Sequence, residues 1–228
     1  KPEDMVTVSV MPCVAKKGER NMELFYGEYA GHDTDIVITT RELTRMIRSA
    51  HIEPSTLVDR ECDPLMKEGS GAGVIFGATG GVMEAALRSA YFLVTGKNPE
   101  PDAFKVVRAT SQETDIVTAE FQLGDAVVKA AIVNGLGNTR RLIDQIERGE
   151  VHYDFVEVMA CPGGCVGGGG QPIHDGEELA FERGKNLYFL DSNAQIRFSH
   201  ENPDVQKLYT DYLEKPMSHK AHMLLHTD

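Results

Sequence analysis

VEVMACPGGCVGGGGQP, residues 156–172, sets two cysteines, Cys161 and Cys165, between an apolar run and a glycine tract. The run begins in YDFVEVM, 153–159, which reads as a strand delivering Cys161 into a loop. A Pro-Gly-Gly turn separates the two thiols, so both can reach one inorganic cluster. Thiolate sulfur is soft and readily deprotonated beside a cation, which suits iron or zinc. Gly167 to Gly170 leave room where side chains would collide with inorganic sulfide or small ligands, or they form a flexible surface loop; the spacing alone leaves both open. Zinc would favour paired CxxC or histidine ligands, and neither cysteine motif holds a histidine.

Outward from this stretch, other strands run into loops in the same way. Val6, Val8 and Val10 alternate with polar residues and lead into Pro12 and Cys13, which predicts a half-buried strand with the first cysteine past its end. DIVIT, 35–39, predicts a strand, followed by a helix with Thr39 and Glu42 as a capping box and Leu43, Met46, Ile47 and Ala50 on one face. GVIFG, 73–77, predicts a further short strand, a turn at Thr79 to Gly81 and a helix from Val82 to Gly96. AFKVVRA, TDIVTAEF and AVVKAAIVN between 103 and 134 read as strands, the last two joined by a hairpin at Leu123 to Asp125. Asn138 is the expected cap of a helix with Leu142, Ile143 and Ile146 inward and Gly149 at its end. Pro203 opens a helix with Val205, Leu208, Tyr209, Tyr212 and Leu213 inward, closed by Pro216. Strands alternating with helices predict an α/β fold with its chemistry on strand-end loops.

Composition narrows the classes. A chain of 228 residues with 41% apolar content can bury a core as one domain or two packed lobes. A formal charge of −12 and no basic run longer than two residues oppose binding to nucleic acid. No apolar run is long enough for a membrane helix, and the first residues lack a signal-peptide pattern. Four cysteines are too few for a disulfide scaffold, which predicts a reducing compartment, the cytoplasm, and metal ligation.

Met11-Pro12-Cys13-Val14-Ala15-Lys16 with Glu19 resembles the MPCxxKxxE motif of iron-only, or [FeFe], hydrogenases. Glu157 to Cys161-Pro162, through Cys165 to Gln171-Pro172, resembles their ExMACPxGCxxGGGQP motif. IFGATGGVMEAALR, 75–88, and KAHMLLHT, 220–227, extend the resemblance over essentially the whole chain. It implies the C-terminal part of the catalytic domain over 1–228, an iron-only-hydrogenase-like two-lobed fold with sheets flanked by helices and a cluster site at strand-end loops between lobes. The implied cofactor is the H-cluster, a [4Fe-4S] cubane joined through a cysteine to a diiron unit with carbonyl, cyanide and dithiolate ligands. The implied reaction interconverts hydrogen with protons and electrons.

By motif position, the resemblance makes Cys13, Cys161 and Cys165 cubane ligands, Cys165 being shared with the diiron unit. Lys16 would hydrogen-bond a cyanide, and Met11 and Met159 would pack against the diiron unit. Phe76, Gly77 and Ala78 would wall the pocket, Pro12 would join the cofactor-binding residues, and Glu19 would orient Lys16. The family's first motif, of TSCxPxW type, has no counterpart here, and the chain holds no tryptophan. With a non-Met start, this predicts a truncated piece, one chain of a split enzyme, or a paralogue without hydrogen chemistry. The implied partners are ferredoxin or a nicotinamide-linked electron-transfer subunit, and the segment or chain carrying the missing motif. A non-catalytic iron-sulfur scaffold or sensor of the same fold is the rival reading. Cys62 lies outside both motifs and reads as an incidental thiol. His219, His222 and His226 share a helical face but match the closing segment, which predicts docking rather than metal binding. In NGLGNTRRL, 134–142, the GxG lacks the third glycine of a dinucleotide fingerprint and reads as strand-to-helix punctuation.

Overall fold

The computed structural model describes residues 1–27, 31–63, 66–109 and 115–225. Its strands are β1 (Val8–Met11), β2 (Tyr26–Gly27), β3 (Gly31–His32), β4 (Ile36–Thr39), β5 (Ile116–Leu123), β6 (Ala126–Asn134) and β7 (Phe155–Met159). Its α-helices are α1 (Lys16–Glu19), α2 (Thr40–Ser49), α3 (Gly71–Ile75), α4 (Gly81–Thr95), α5 (Leu136–Glu147), α6 (Ala180–Asn193), α7 (Pro203–Leu208) and α8 (His219–Leu225).

The main sheet runs β5-β6-β7, with β5 antiparallel and β7 parallel to β6. AVVKAAIVN becomes its centre because the apolar run that follows Lys129, Ala130 to Val133, can bury both faces. Ala130 and Ile132 face a core with Phe121, Leu123, Phe104, Val107 and the α4 residues Met83 and Leu87, whereas Ala131 and Val133 join Leu142 of α5. The hairpin turn is Gly124-Asp125, where Gly124 takes φ +61°. At this sheet's edge, β7 ends on Met159 and so delivers Cys161.

β1 and β4 form a separate two-stranded parallel sheet in which Val8 faces Ile36 and Val10 faces Ile38. The alternation in β1 is correct, but its apolar side is not covered: Val8, Val10 and Ile36 are 50%, 43% and 46% exposed. The capping box forms as expected, with Thr39 Oγ1 accepting from Glu42 N at 3.2 Å and Glu42 Oε2 accepting from Thr39 N at 2.7 Å. The α2 stripe stays open, and no α2 residue is fully buried.

Several local expectations are corrected. GVIFG is helical rather than a strand: Ser70 Oγ caps α3 by accepting from Gly73 N at 3.3 Å, and Ala72 and Ile75 bury at i, i+3 spacing. Short apolar runs fit either period, and here the docking of Gly71 N onto Ile196 O at 2.8 Å and Ala72 N onto Arg197 O at 3.0 Å decides. AFKVVRA holds a 3₁₀ turn, Lys105–Val107, with Phe104 and Val107 buried three residues apart. Gly135, not Asn138, precedes α5, while Asn138 Nδ2 donates to Asn134 O at 2.6 Å; Leu142 is buried but Ile143 and Ile146 are exposed. Asn202 caps α7, which passes into a π-turn at Tyr209–Leu213; Leu213 is buried and Tyr212 lies exposed under Lys220. In α8 only Ala221 is buried, so that helix docks through one small residue. His226 lies outside the described residues. Among the described residues, no helix is long and apolar enough to cross a membrane.

Candidate functional site

The two cysteine loops interlock. Gly170 N donates to Pro12 O at 2.9 Å, and a Cβ on Gly168 would lie 2.2 Å from Pro12 O. A Cβ on Gly170 would lie 2.9 Å from Cys13 N. The tract is therefore neither a free surface loop nor open space: at 168 and 170 its glycines admit the backbone that carries Cys13. Arg41 of α2 secures the outer side, with Nη2 donating to Gly169 O at 2.6 Å and its backbone N to Gly170 O at 2.9 Å.

The other side of the Cys161–Cys165 turn rests on residues 77–79. Val166 N donates to Gly77 O at 2.9 Å and Thr79 N to Gly163 O at 3.2 Å. A Cβ on Gly164, which has φ +96°, would meet Gly77 O at 2.6 Å. Thus Gly77 and Ala78 lie against the cysteine turn, Ala78 buried, whereas Phe76 is 48% exposed.

Two side chains not nominated from the sequence hold this junction. Asn134, at the end of β6, accepts on Oδ1 from Gly163 N at 2.9 Å and from Thr79 Oγ1 at 3.3 Å. Glu157 of β7 accepts from Gly80 N and Met83 N at 2.6 Å each, placing a carboxylate at the N-terminus of α4. Burial pushes the Glu157 carboxyl above its ordinary value, and those two N–H donors offset part of the shift. The signal for Glu157 was its place in the second motif; for Asn134 there was none beyond a polar residue ending an apolar strand.

The thiols of Cys13, Cys161 and Cys165 come into one neighbourhood with Lys16. Partial burial pushes the Cys165 thiol up, the Cys161 and Cys13 thiols push it the same way, and the Lys16 ammonium pulls it down. Cys13 and Cys161 are partly buried and Cys165 is exposed. Lys16 Nζ donates to Glu19 Oε1 at 2.7 Å, and Met11 with Lys16 and Glu19 lines a cleft of about 170 Å³. Met159 is 8% exposed at the end of β7. Cys62 is exposed. Among the described residues, no group of three or more His, Cys, Asp or Glu is placed to hold a single metal ion. The cysteine-only donor set, with backbone so closely fitted around it, suits an iron-sulfur group.

Residues 1–169 match the family model described as "Iron only hydrogenase large subunit, C-terminal domain", and residues 177–228 match "Iron hydrogenase small subunit". The NADP-reducing hydrogenase subunit HndD of Solidesulfovibrio fructosivorans is 44% identical over 99% of this chain and 38% of its own length. The cytosolic Fe-S cluster assembly factor narfl of Xenopus tropicalis is 34% identical over 100% of this chain and 48% of its own. The structure of apo [FeFe]-hydrogenase HydA1 from Chlamydomonas reinhardtii, variant C377H, superposes with TM-score 0.75 at 40% identity, over 99% of this chain and 63% of that one. The chain thus spans less than half the length of these curated relatives, and its α/β architecture is that of the [FeFe]-hydrogenases. On these matches, with both cysteine loops in place, the chain belongs to the iron-only hydrogenase family, residues 1–169 in the C-terminal domain of the large subunit and 177–228 in the small-subunit segment.

Proposed function

We propose that this chain is the C-terminal part of an [FeFe]-hydrogenase catalytic unit that interconverts hydrogen with two protons and two electrons. The observation that carries the reading is the interlocking of the Met11–Cys13 and Cys161–Gly170 loops, which groups three thiols and Lys16. When bound, an H-cluster supplies the redox and hydrogen-splitting chemistry. Cys13, Cys161 and Cys165 would hold its cubane, with Cys165 shared with the diiron unit. Lys16, aligned by the 2.7 Å pair with Glu19, would offset the anionic charge of the site through a charge-assisted hydrogen bond. Met11 and Met159 would present thioethers, which exclude water without offering acidic protons. Pro12, Phe76, Gly77 and Ala78 would close the wall.

The fourth cubane ligand and the first motif would come from the part of the family fold that this chain does not span. The uncovered Val8, Val10 and Ile36 face supports docking of that part on the β1-β4 sheet, because two parallel strands are marginal alone and parallel sheets are normally covered on both faces. Likeness to the HndD subunit favours a nicotinamide-linked electron partner over ferredoxin.

The second reading, an iron-sulfur scaffold or sensor, is favoured by the likeness to the narfl assembly factor over the full chain. Infrared spectra and dye-linked hydrogen uptake of the matured whole protein separate the two. Carbonyl and cyanide bands with turnover support the hydrogenase. Bands with negligible turnover support a sensor, and no bands in protein loaded with iron reject the diiron assignment.

A further inference from the structure

Arg183 is absorbed by none of the roles above. It lies on α6, within the stretch that matches the small-subunit family model, yet its guanidinium reaches back to the cysteine loop. Nη1 donates to Val166 O at 2.9 Å and Nη2 donates to Pro172 O at 3.1 Å. These carbonyls flank the glycine tract, Val166 being the residue after Cys165. α6 also fits closely against the turn: a Cβ on Gly163 would lie 2.6 Å from Ala180 Cβ, and one on Gly167 would lie 3.0 Å from it.

We propose that Arg183 is a positioning residue that fixes the loop carrying Cys165, so that the small-subunit-like segment sets the geometry of a ligand set it does not itself contain. The inference rests on the iron-sulfur reading above and adds to it the partner of the cysteine loop. A run of four glycines loses more backbone freedom on ordering than any other sequence, and it brings no side chains of its own to hold a shape. Gly163 and Gly164, at φ +82° and +96°, add a backbone path that must be held from outside. One planar guanidinium can grip two carbonyls in fixed relation, whereas an ammonium offers a single point. Arg183 and Arg41 thus hold different carbonyls of the loop, Val166 O and Gly169 O, and Arg183 is the one nearer the Cys165 peptide.

The test compares the whole protein as wild type, Arg183→Gln, Arg183→Lys and the control Lys185→Gln, a change at an exposed position on the same helix. Amide hydrogen exchange at residues 163–172 is measured in iron-free protein, and release of iron to a chelator is measured after anaerobic reconstitution. Arg183→Gln is expected to speed both by roughly tenfold, the effect of losing a charged hydrogen bond. Exchange in β6 should stay unchanged, Arg183→Lys should fall between, and Lys185→Gln should match wild type. The electron paramagnetic resonance of the reduced cluster should shift in Arg183→Gln alone, which a general loss of stability would not produce. Wild-type exchange and iron release in Arg183→Gln overturn the proposal, as does faster exchange with unchanged iron release. Should Arg183→Gln not accumulate, Arg183→Lys decides: intermediate values support the clamp and wild-type values contradict it. If the wild-type protein takes up no iron, the iron-sulfur reading itself fails, and the exchange data still decide whether the clamp exists.

Discussion

At the scale of single residues, the site divides into groups that would touch the cofactor and groups that hold the backbone. Replacing Cys13, Cys161 or Cys165 with alanine should each lower iron content after reconstitution, while Cys62→Ala should leave it at the wild-type level; iron assay with visible absorption checks this. Glu19→Gln weakens the 2.7 Å link to Lys16 and leaves the thiols intact. It should lower hydrogen turnover by about 10-fold with unchanged iron content, the scale on which partners of ligand-shell groups act. Glu157→Gln keeps the shape but loses one of two N–H acceptors, because an amide NH₂ cannot accept. Burial leaves the orphaned donor without water, so urea unfolding should show a loss of about 1–3 kcal/mol. The thiols, Lys16 and Glu19 were legible in sequence because they lie a few residues apart in two motifs. Asn134 and Arg183 were not, since each works on main-chain atoms of a loop distant in sequence and carries no spacing signature.

At the scale of elements, the same contrast recurs. β6 and the hairpin could be read from a Val- and Ile-rich run and a Gly-Asp turn, and the α2 cap from Thr39 and Glu42. α3 could not, because GVIFG satisfies either period until the 196–197 segment pairs with its first amides. The stack joining α4 to the Ser199–Glu201 turn also lay outside sequence reasoning. His200 lies 4.1 Å from Phe92 and 5.4 Å from Phe198, ring to ring, with Nε2 on Asn98 Oδ1 at 2.8 Å and Nδ1 on Ser89 Oγ at 3.2 Å. Burial holds its pKa below the ordinary 6.5, against a smaller opposing pull from Glu201. The fold thus binds fewer protons than the unfolded chain, so stability is present above pH 6.5 and declines as pH falls towards the folded value. His200→Gln should flatten that part of the stability–pH curve, measured by urea midpoints across the range.

At the scale of the whole molecule, a buried ion network ties α4, α6 and the loops that flank the site. Arg88 pairs with Glu84 at 2.7 Å and with Asp191 at 2.8 Å, while Arg108 reaches Glu84 at 2.6 Å and Arg197 reaches Asp191 at 2.9 Å. Glu84, Arg88 and Asp191 are 0%, 3% and 0% exposed, so removing one partner strands a charge away from water. Asp191→Ala should cost about 3–5 kcal/mol by urea unfolding. The network anchors α6, hence Arg183, against the same α4 whose N-terminus Glu157 caps. The proposed chemistry requires three sulfurs from two loops to bind one iron assembly, and locating the metal by anomalous scattering in crystals of the reconstituted protein tests it most directly. Iron bonded to the Sγ atoms of Cys13, Cys161 and Cys165 in a single cluster is the expected result; a lone zinc ion, or iron bound away from those sulfurs, would contradict it.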